Sequence, residues 1–201
     1  LEVGILEIIV WFLLDEVNVF FSDFCIGTSI DFVHMEYLGN SREKIGCEKV
    51  AIFRNGKPAI CAETDLPSAV WQQINQIDPD LLLLNKQFGY VDKSSQWDYW
   101  GPKDCRYSLP FPALRGQKQL QNASTCLAAL DTLQTQLPVT MQNIRDGLNE
   151  AVIPGRFQVI STHPMIILDV AHNPAAAEVL SDNLAATRPT GKTYAVFAML
   201  A

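Results

Sequence analysis

No two of the five cysteines (Cys25, Cys47, Cys61, Cys105, Cys126) stand as a CxxC pair. Zinc-knuckle and thioredoxin-like chemistry are thereby excluded. There is no secretory signal pattern, so reduced thiols and a cytoplasmic protein are expected. Basic residues are in deficit: Lys and Arg number 15 against 22 Asp and Glu, a net charge of −7. That excludes a general nucleic-acid footprint. No apolar run reaches the roughly 20 residues that span a bilayer. The longest, Val3 to Leu14, contains Glu7 and is followed by Asp15 and Glu16. Neither nucleic acid nor membrane is an expected partner. Repeats and low-complexity segments are also absent. What remains is 48% hydrophobic and 18% charged, the composition of a core-forming globular protein.

Strand and helix signals alternate, which points to an α/β layer fold. Phe24 to Ile30 and Pro58 to Cys61 read as strands, the second following an Asn55-Gly56 turn. Ser41 can cap a helix running from about Arg42 to Phe53. Pro67 to Gln76 looks helical, and Leu81 to Leu84 reads as a buried strand. Phe88 to Trp100 and Arg106 to Leu109 are aromatic-rich and interrupted by glycine, proline and polar pairs, which fits an antiparallel excursion. Two helices follow, marked by Leu120, Ala123, Leu127 and Leu130, then by Met141, Ile144, Leu148 and Val152. Pro154-Gly155 breaks the chain. Strands are expected over Arg156 to Ser161 and Tyr194 to Met199. The break divides the chain into domains 1–154 and 155–201.

The run Leu168 to Leu180 is the most informative. Met165 to Val170 has the apolar, β-rich character of a buried parallel strand. Asn173 takes an N-cap position and Pro174 the first helical position. Ala176, Val179, Leu180 and Leu184 then fall at helical spacing. Asp169 and His172 are therefore expected at a strand end beside a helix N-terminus, where open α/β sheets bind ligands.

Other candidates carry weaker local signals. Ile45, Lys49, Ile52 and Phe53 share one helical face, so Lys49 stands on an apolar stripe, either snorkelling or functional. His34 lies in the loop after the strand ending near Ile30, where a polar surface role also fits. Glu2 sits between apolar neighbours. Asn122 is placed to cap the helix Ala123 to Leu133. Arg156 follows the Pro154-Gly155 break, either a surface charge or a group facing an interdomain cleft.

In combination these motifs are specific. LEVG, TSIDxxH (Thr28 to His34), YLG, IGxEKxxIF (Ile45 to Phe53), GKPAI, LPFPALRGQKQLQNAS, PGRFQ and LDVAHNP occur in this order. The series resembles the folylpolyglutamate synthase and dihydrofolate synthase family of the Mur-ligase superfamily, the bifunctional bacterial form above all. The resemblance implies an α/β fold: a Mur-ligase-like central ATPase domain without its N-terminal part, then a truncated Rossmann-like C-terminal domain. It implies ATP-dependent addition of L-glutamate to a pteroate or folate through an acyl phosphate, by a monomer. Glu2, His34 and Lys49 would hold magnesium, Lys49 as a carbamate. Asn122 would contact adenine, Asp169 the ribose, and Arg156 and His172 the phosphates. Lys49 and His172 would be the catalytic pair. Asp15 and Asn18 would align with the pterin-side loop.

The chain departs from the family pattern in four places. The glycine-rich phosphate loop is expected upstream of Leu1, so the chain is read as a fragment that alone releases no phosphate. ILEIIVWFLL replaces the GGR after LEVG. Val33 stands where an aspartate usually precedes the metal histidine, and Val50-Ala51 replaces Ala-Gly after the lysine. Two rival readings are a non-catalytic remnant of the enzyme and a Mur-type ligase acting on a nucleotide-linked muramyl acceptor.

Overall fold

The computed structural model describes residues 3–8, 22–28, 30, 41–116, 118–188 and 191–198. Its first layer is a parallel sheet of β1 (Cys25–Gly27), β2 (Pro58–Cys61) and β3 (Asp80–Leu83), in that order. Parallel neighbours need crossovers. Helix α1 (Arg42–Val50) lies in the connection from β1 to β2, and α2 (Ser68–Ile77) in that from β2 to β3. Ile45 and Val50 of α1 and Val70 and Ile74 of α2 bury against Cys25, Ala59, Cys61 and Leu83 of the sheet. The Ser41 side chain accepts from Lys44 N and starts α1 as expected. The helix stops three residues before Phe53. There the Arg54 guanidinium donates to the carbonyls of Ala51, Ile52 and Phe53, satisfying acceptors that a longer helix would have used.

An antiparallel sheet follows: β4 (Gly89–Asp92), β5 (Trp97–Trp100) and β6 (Cys105–Leu109). Helix α3 (Lys118–Leu133) packs against it and against β2. The second core gathers Phe88, Trp97, Tyr99 and Leu109 with Leu120, Leu127 and Ala128 of α3 and Ile144 of α4 (Met141–Glu150). Thr140 and Asn143 close a capping box at the start of α4.

The remaining elements are β7 (Gln158–Thr162), β8 (Met165–Leu168) and α5 (Pro174–Thr187). Three expectations are corrected here. Met165 to Val170 is neither buried nor parallel: β8 pairs antiparallel with β7, and Met165, Ile166, Leu168 and Val170 are exposed. Only His163 and Pro164 separate the strands, too few residues for a parallel crossover. The first strand begins at Gln158 rather than Arg156, because Gly155 and Phe157 take positive φ values of 72° and 43°. Residues 191–198 form no strand, and Tyr194, Val196 and Phe197 are exposed. Asn173 does cap α5, accepting from Ala176 N, with Pro174 at its first position. No helix among the described residues is long and apolar enough to cross a membrane.

Candidate functional site

Arg156, Asp169 and His172 lie on two turns that are bound to each other. The first turn follows Pro154-Gly155 and carries Arg156 at its tip. The second leaves β8 and leads into α5. Asp169 bridges them: Oδ2 accepts from Phe157 N at 2.8 Å and Oδ1 from Ala171 N at 2.8 Å. Val170 N donates to Gly155 O at 2.8 Å, closing the clasp from the backbone side. His172 Nδ1 stands 2.9 Å from Val170 O. A carbonyl only accepts, so Nδ1 donates and Nε2 is left as the ring's second, outward group. His172 and Arg156 are exposed, and Asp169 is half-buried. Each carboxylate oxygen of Asp169 has a second lone pair, so the clasp leaves it capacity for a further donor.

Two cavities border this clasp. One, of about 170 Å³, is lined by Ala113 to Arg115, Ala151 to Ile153 and Arg156 to Val159. The other, of about 290 Å³, is lined by Arg115, Gly116, Phe157 and four residues of α5 from Asp182 to Thr187. Arg115 and Phe157 border both. The segment entering α3 therefore faces the start of β7 and the flank of α5. Gly116 permits that approach: with φ at 128°, a Cβ on it would fall 2.9 Å from Asn183 Nδ2.

The other candidates sit on separate elements. Lys49 occupies the last turn of α1 and is half-buried, beside buried Val50. Its expected stripe is only partly realised, since Ile52 and Phe53 lie beyond the helix end. Asn122 is not an N-cap. Helix α3 starts at Lys118, so Asn122 is its fifth residue, exposed, with Nδ2 donating to Gln119 Oε1 at 3.3 Å. The backbone bond from Gln119 N to Gly116 O pulls the helix start upstream of the position expected from Asn122. Glu2, Asp15, Asn18 and His34 lie outside the described residues. Among the described residues, no group of three or more His, Cys, Asp or Glu side chains could hold a metal ion.

Residues 155–201 match the Mur ligase, glutamate ligase domain model. The whole chain is 38% identical over 200 residues to dihydrofolate synthase/folylpolyglutamate synthase of Escherichia coli K12, covering 46% of that protein. The fold matches that of E. coli FolC in complex with DHPP and ADP, with a TM-score of 0.82 and 37% identity over 91% of this chain and 43% of that one. Along its length the chain is thus similar to part of the folylpolyglutamate synthases/dihydrofolate synthases. A bifunctional relative with Mn, AMPPNP and L-glutamate bound is also similar, at 36% identity and a TM-score of 0.76 over 88% of this chain and 42% of that one. The chain spans about half the length of the curated relatives it matches.

Two features of this chain escape motif reading. Arg115 borders both cavities, yet only its place in the LRGQ motif draws notice in the sequence. The second is a buried network under α3. Asp131, fully buried, accepts from Tyr99 Oη at 2.7 Å and from Arg106 NH2 at 2.6 Å. Burial, reinforced by the Asp131 carboxylate, pushes the Tyr99 hydroxyl well above its ordinary range. Asp131 stands 25 residues from Arg106 and 32 from Tyr99, so no local pattern announces the network.

Proposed function

We propose that this chain forms the central ATP-binding part, residues 1–154, and the opening of the glutamate-ligase domain, residues 155–201, of a folate-pathway ligase. The reaction is ATP-dependent addition of L-glutamate to dihydropteroate or tetrahydrofolate. The observation that supports it is the clasp, in which one carboxylate binds the turn bearing Arg156 to the turn bearing His172. Similar structures solved with ADP, or with Mn, AMPPNP and L-glutamate, bound support the same reading.

In this reading Arg156 and His172 receive the phosphates of ATP, Asp169 the ribose and Asn122 the adenine. The γ-phosphoryl group passes to the acceptor carboxylate and gives an acyl phosphate. The amine of L-glutamate attacks that carbonyl, the C–O bond to phosphate breaks, and phosphate leaves. A cation beside the transferring group offsets its developing charge. Arg156 does so permanently, because a guanidinium stays charged at all working pH values. His172, with Nδ1 engaged by a carbonyl, presents Nε2 in one fixed direction. Magnesium, held by Glu2, His34 and a carbamylated Lys49, would add charge neutralisation at the phosphates. Asp15 and Asn18 would contact the pterin. The protein acts as a monomer.

Calorimetric titration separates this reading from a Mur-type ligase. The chain is expected to bind magnesium-ATP and dihydropteroate or tetrahydrofolate, and to give no heat with a nucleotide-linked muramyl acceptor. Binding of the muramyl compound without binding of either pteridine overturns the proposal.

A further inference from the structure

The turn that presents Arg156 is held in an unfavourable backbone conformation. Gly155 has φ at 72° and Phe157 φ at 43°. For an aromatic residue this is a sparsely populated region, costly unless surrounding contacts enforce it. Gly155 has no alternative: a Cβ there would lie 2.7 Å from Val170 Cγ1. Three contacts enforce the turn from outside. Asp169 accepts from the amide of Phe157, Val170 N donates to the carbonyl of Gly155, and Phe157 itself is buried. A fourth acts from within. Gln158 Oε1 accepts from Gly155 N at 3.0 Å, across Arg156 and Phe157.

We infer that Gln158 is a positioning residue for Arg156. Its amide oxygen holds the Pro154–Gly155 peptide that opens the turn, while its own backbone opens β7 after Phe157. Both ends of the turn are thereby referred to one residue. Gln158 also lines the smaller cavity beside Arg156, so the tie lies next to the space the arginine borders. The role rests on the reading of Arg156 as a phosphate-binding group.

The test uses the chain with Gln158→Met, which keeps side-chain length without the acceptor, and Gln158→Glu, which keeps the acceptor. Magnesium-ATP affinity is measured by calorimetry in both, in Arg156→Ala and in the double variant Arg156→Ala/Gln158→Met. Exchange of the Gly155 amide with deuterium is followed in parallel. Losing one hydrogen bond is expected to weaken ATP binding about fivefold to tenfold in Gln158→Met. Gln158→Glu is expected to remain within about twofold of the wild type, and its Gly155 amide to stay protected. The double variant is expected to bind no more weakly than Arg156→Ala alone, because the tie acts only through the arginine. Losses that multiply in the double variant overturn the inference, as does unchanged Gly155 exchange in Gln158→Met. If Arg156→Ala binds ATP as the wild type does, the phosphate reading of Arg156 has failed and the positioning role with it. If the wild type gives no heat with ATP, the ATP reading has failed on its own. Gly155 exchange then decides alone whether Gln158 holds the turn.

Discussion

Asp131 is the residue on which the middle of the molecule depends most. It is wholly buried, and its two oxygens serve Tyr99 and Arg106. Removing it strands a buried guanidinium whose NH1 already lacks a hydrogen-bond partner. Asp131→Ala is expected to cost about 3–5 kcal/mol in urea denaturation, the range for breaking a buried ion pair from one side. Cys61 gives a second residue-scale prediction. Burial pushes its thiol from about 9 up to about 11. The unfolded thiol therefore ionises first, the folded state holds the extra proton, and stability falls as pH rises from 9 to 11. Denaturation midpoints at pH 8.5 and pH 10.5 check the sign. Tyr99, shifted in the same direction, adds to the loss at the alkaline end. At pH 8 Cys61 should react with a disulfide reagent far more slowly than exposed Cys105.

At the scale of elements, the two asparagines at or near helix starts behave differently. Asn173 is a true N-cap of α5. Asn173→Ala is expected to cost about 1 kcal/mol in urea denaturation. Asn122 lies within α3 and faces outward. Asn122→Ala should leave stability within about 0.5 kcal/mol. It should weaken ATP binding about tenfold if the adenine contact is made, as loss of a single hydrogen bond to a ligand does. The contrast shows what local sequence carries. Pro58 to Cys61 forms the strand its β-branched and apolar residues suggest, and Asn173-Pro174 starts a helix where capping chemistry requires it. Met165 to Val170 is apolar in the same way, yet it is exposed and antiparallel. Burial and pairing depend on partners that the strand itself does not encode. Likewise the break at Pro154-Gly155 is legible, but the positive φ of Phe157 depends on Asp169, twelve residues away.

At the scale of the molecule, the candidate site is assembled between parts that are distant in sequence. The segment before α3 supplies Arg115 and Gly116. The turn after α4 supplies Arg156, and the end of β8 supplies Asp169 and His172. Motif order predicts that Arg156, Asp169 and His172 belong together. It does not predict that the Asp169 carboxylate is first of all a clasp between two turns, a role set by backbone amides that carry no sequence signal. The cavities on either side of Phe157 follow from that clasp, since the turn it holds forms part of both walls. In the proposed function, ATP sits against this assembly. Hydrogen–deuterium exchange with and without saturating magnesium-ATP tests it most directly. Slowed exchange is predicted at residues 155–157 and 170–173 and in the first turns of α3 around Asn122. Unchanged exchange at all three segments, or protection confined to other parts of the chain, would contradict it.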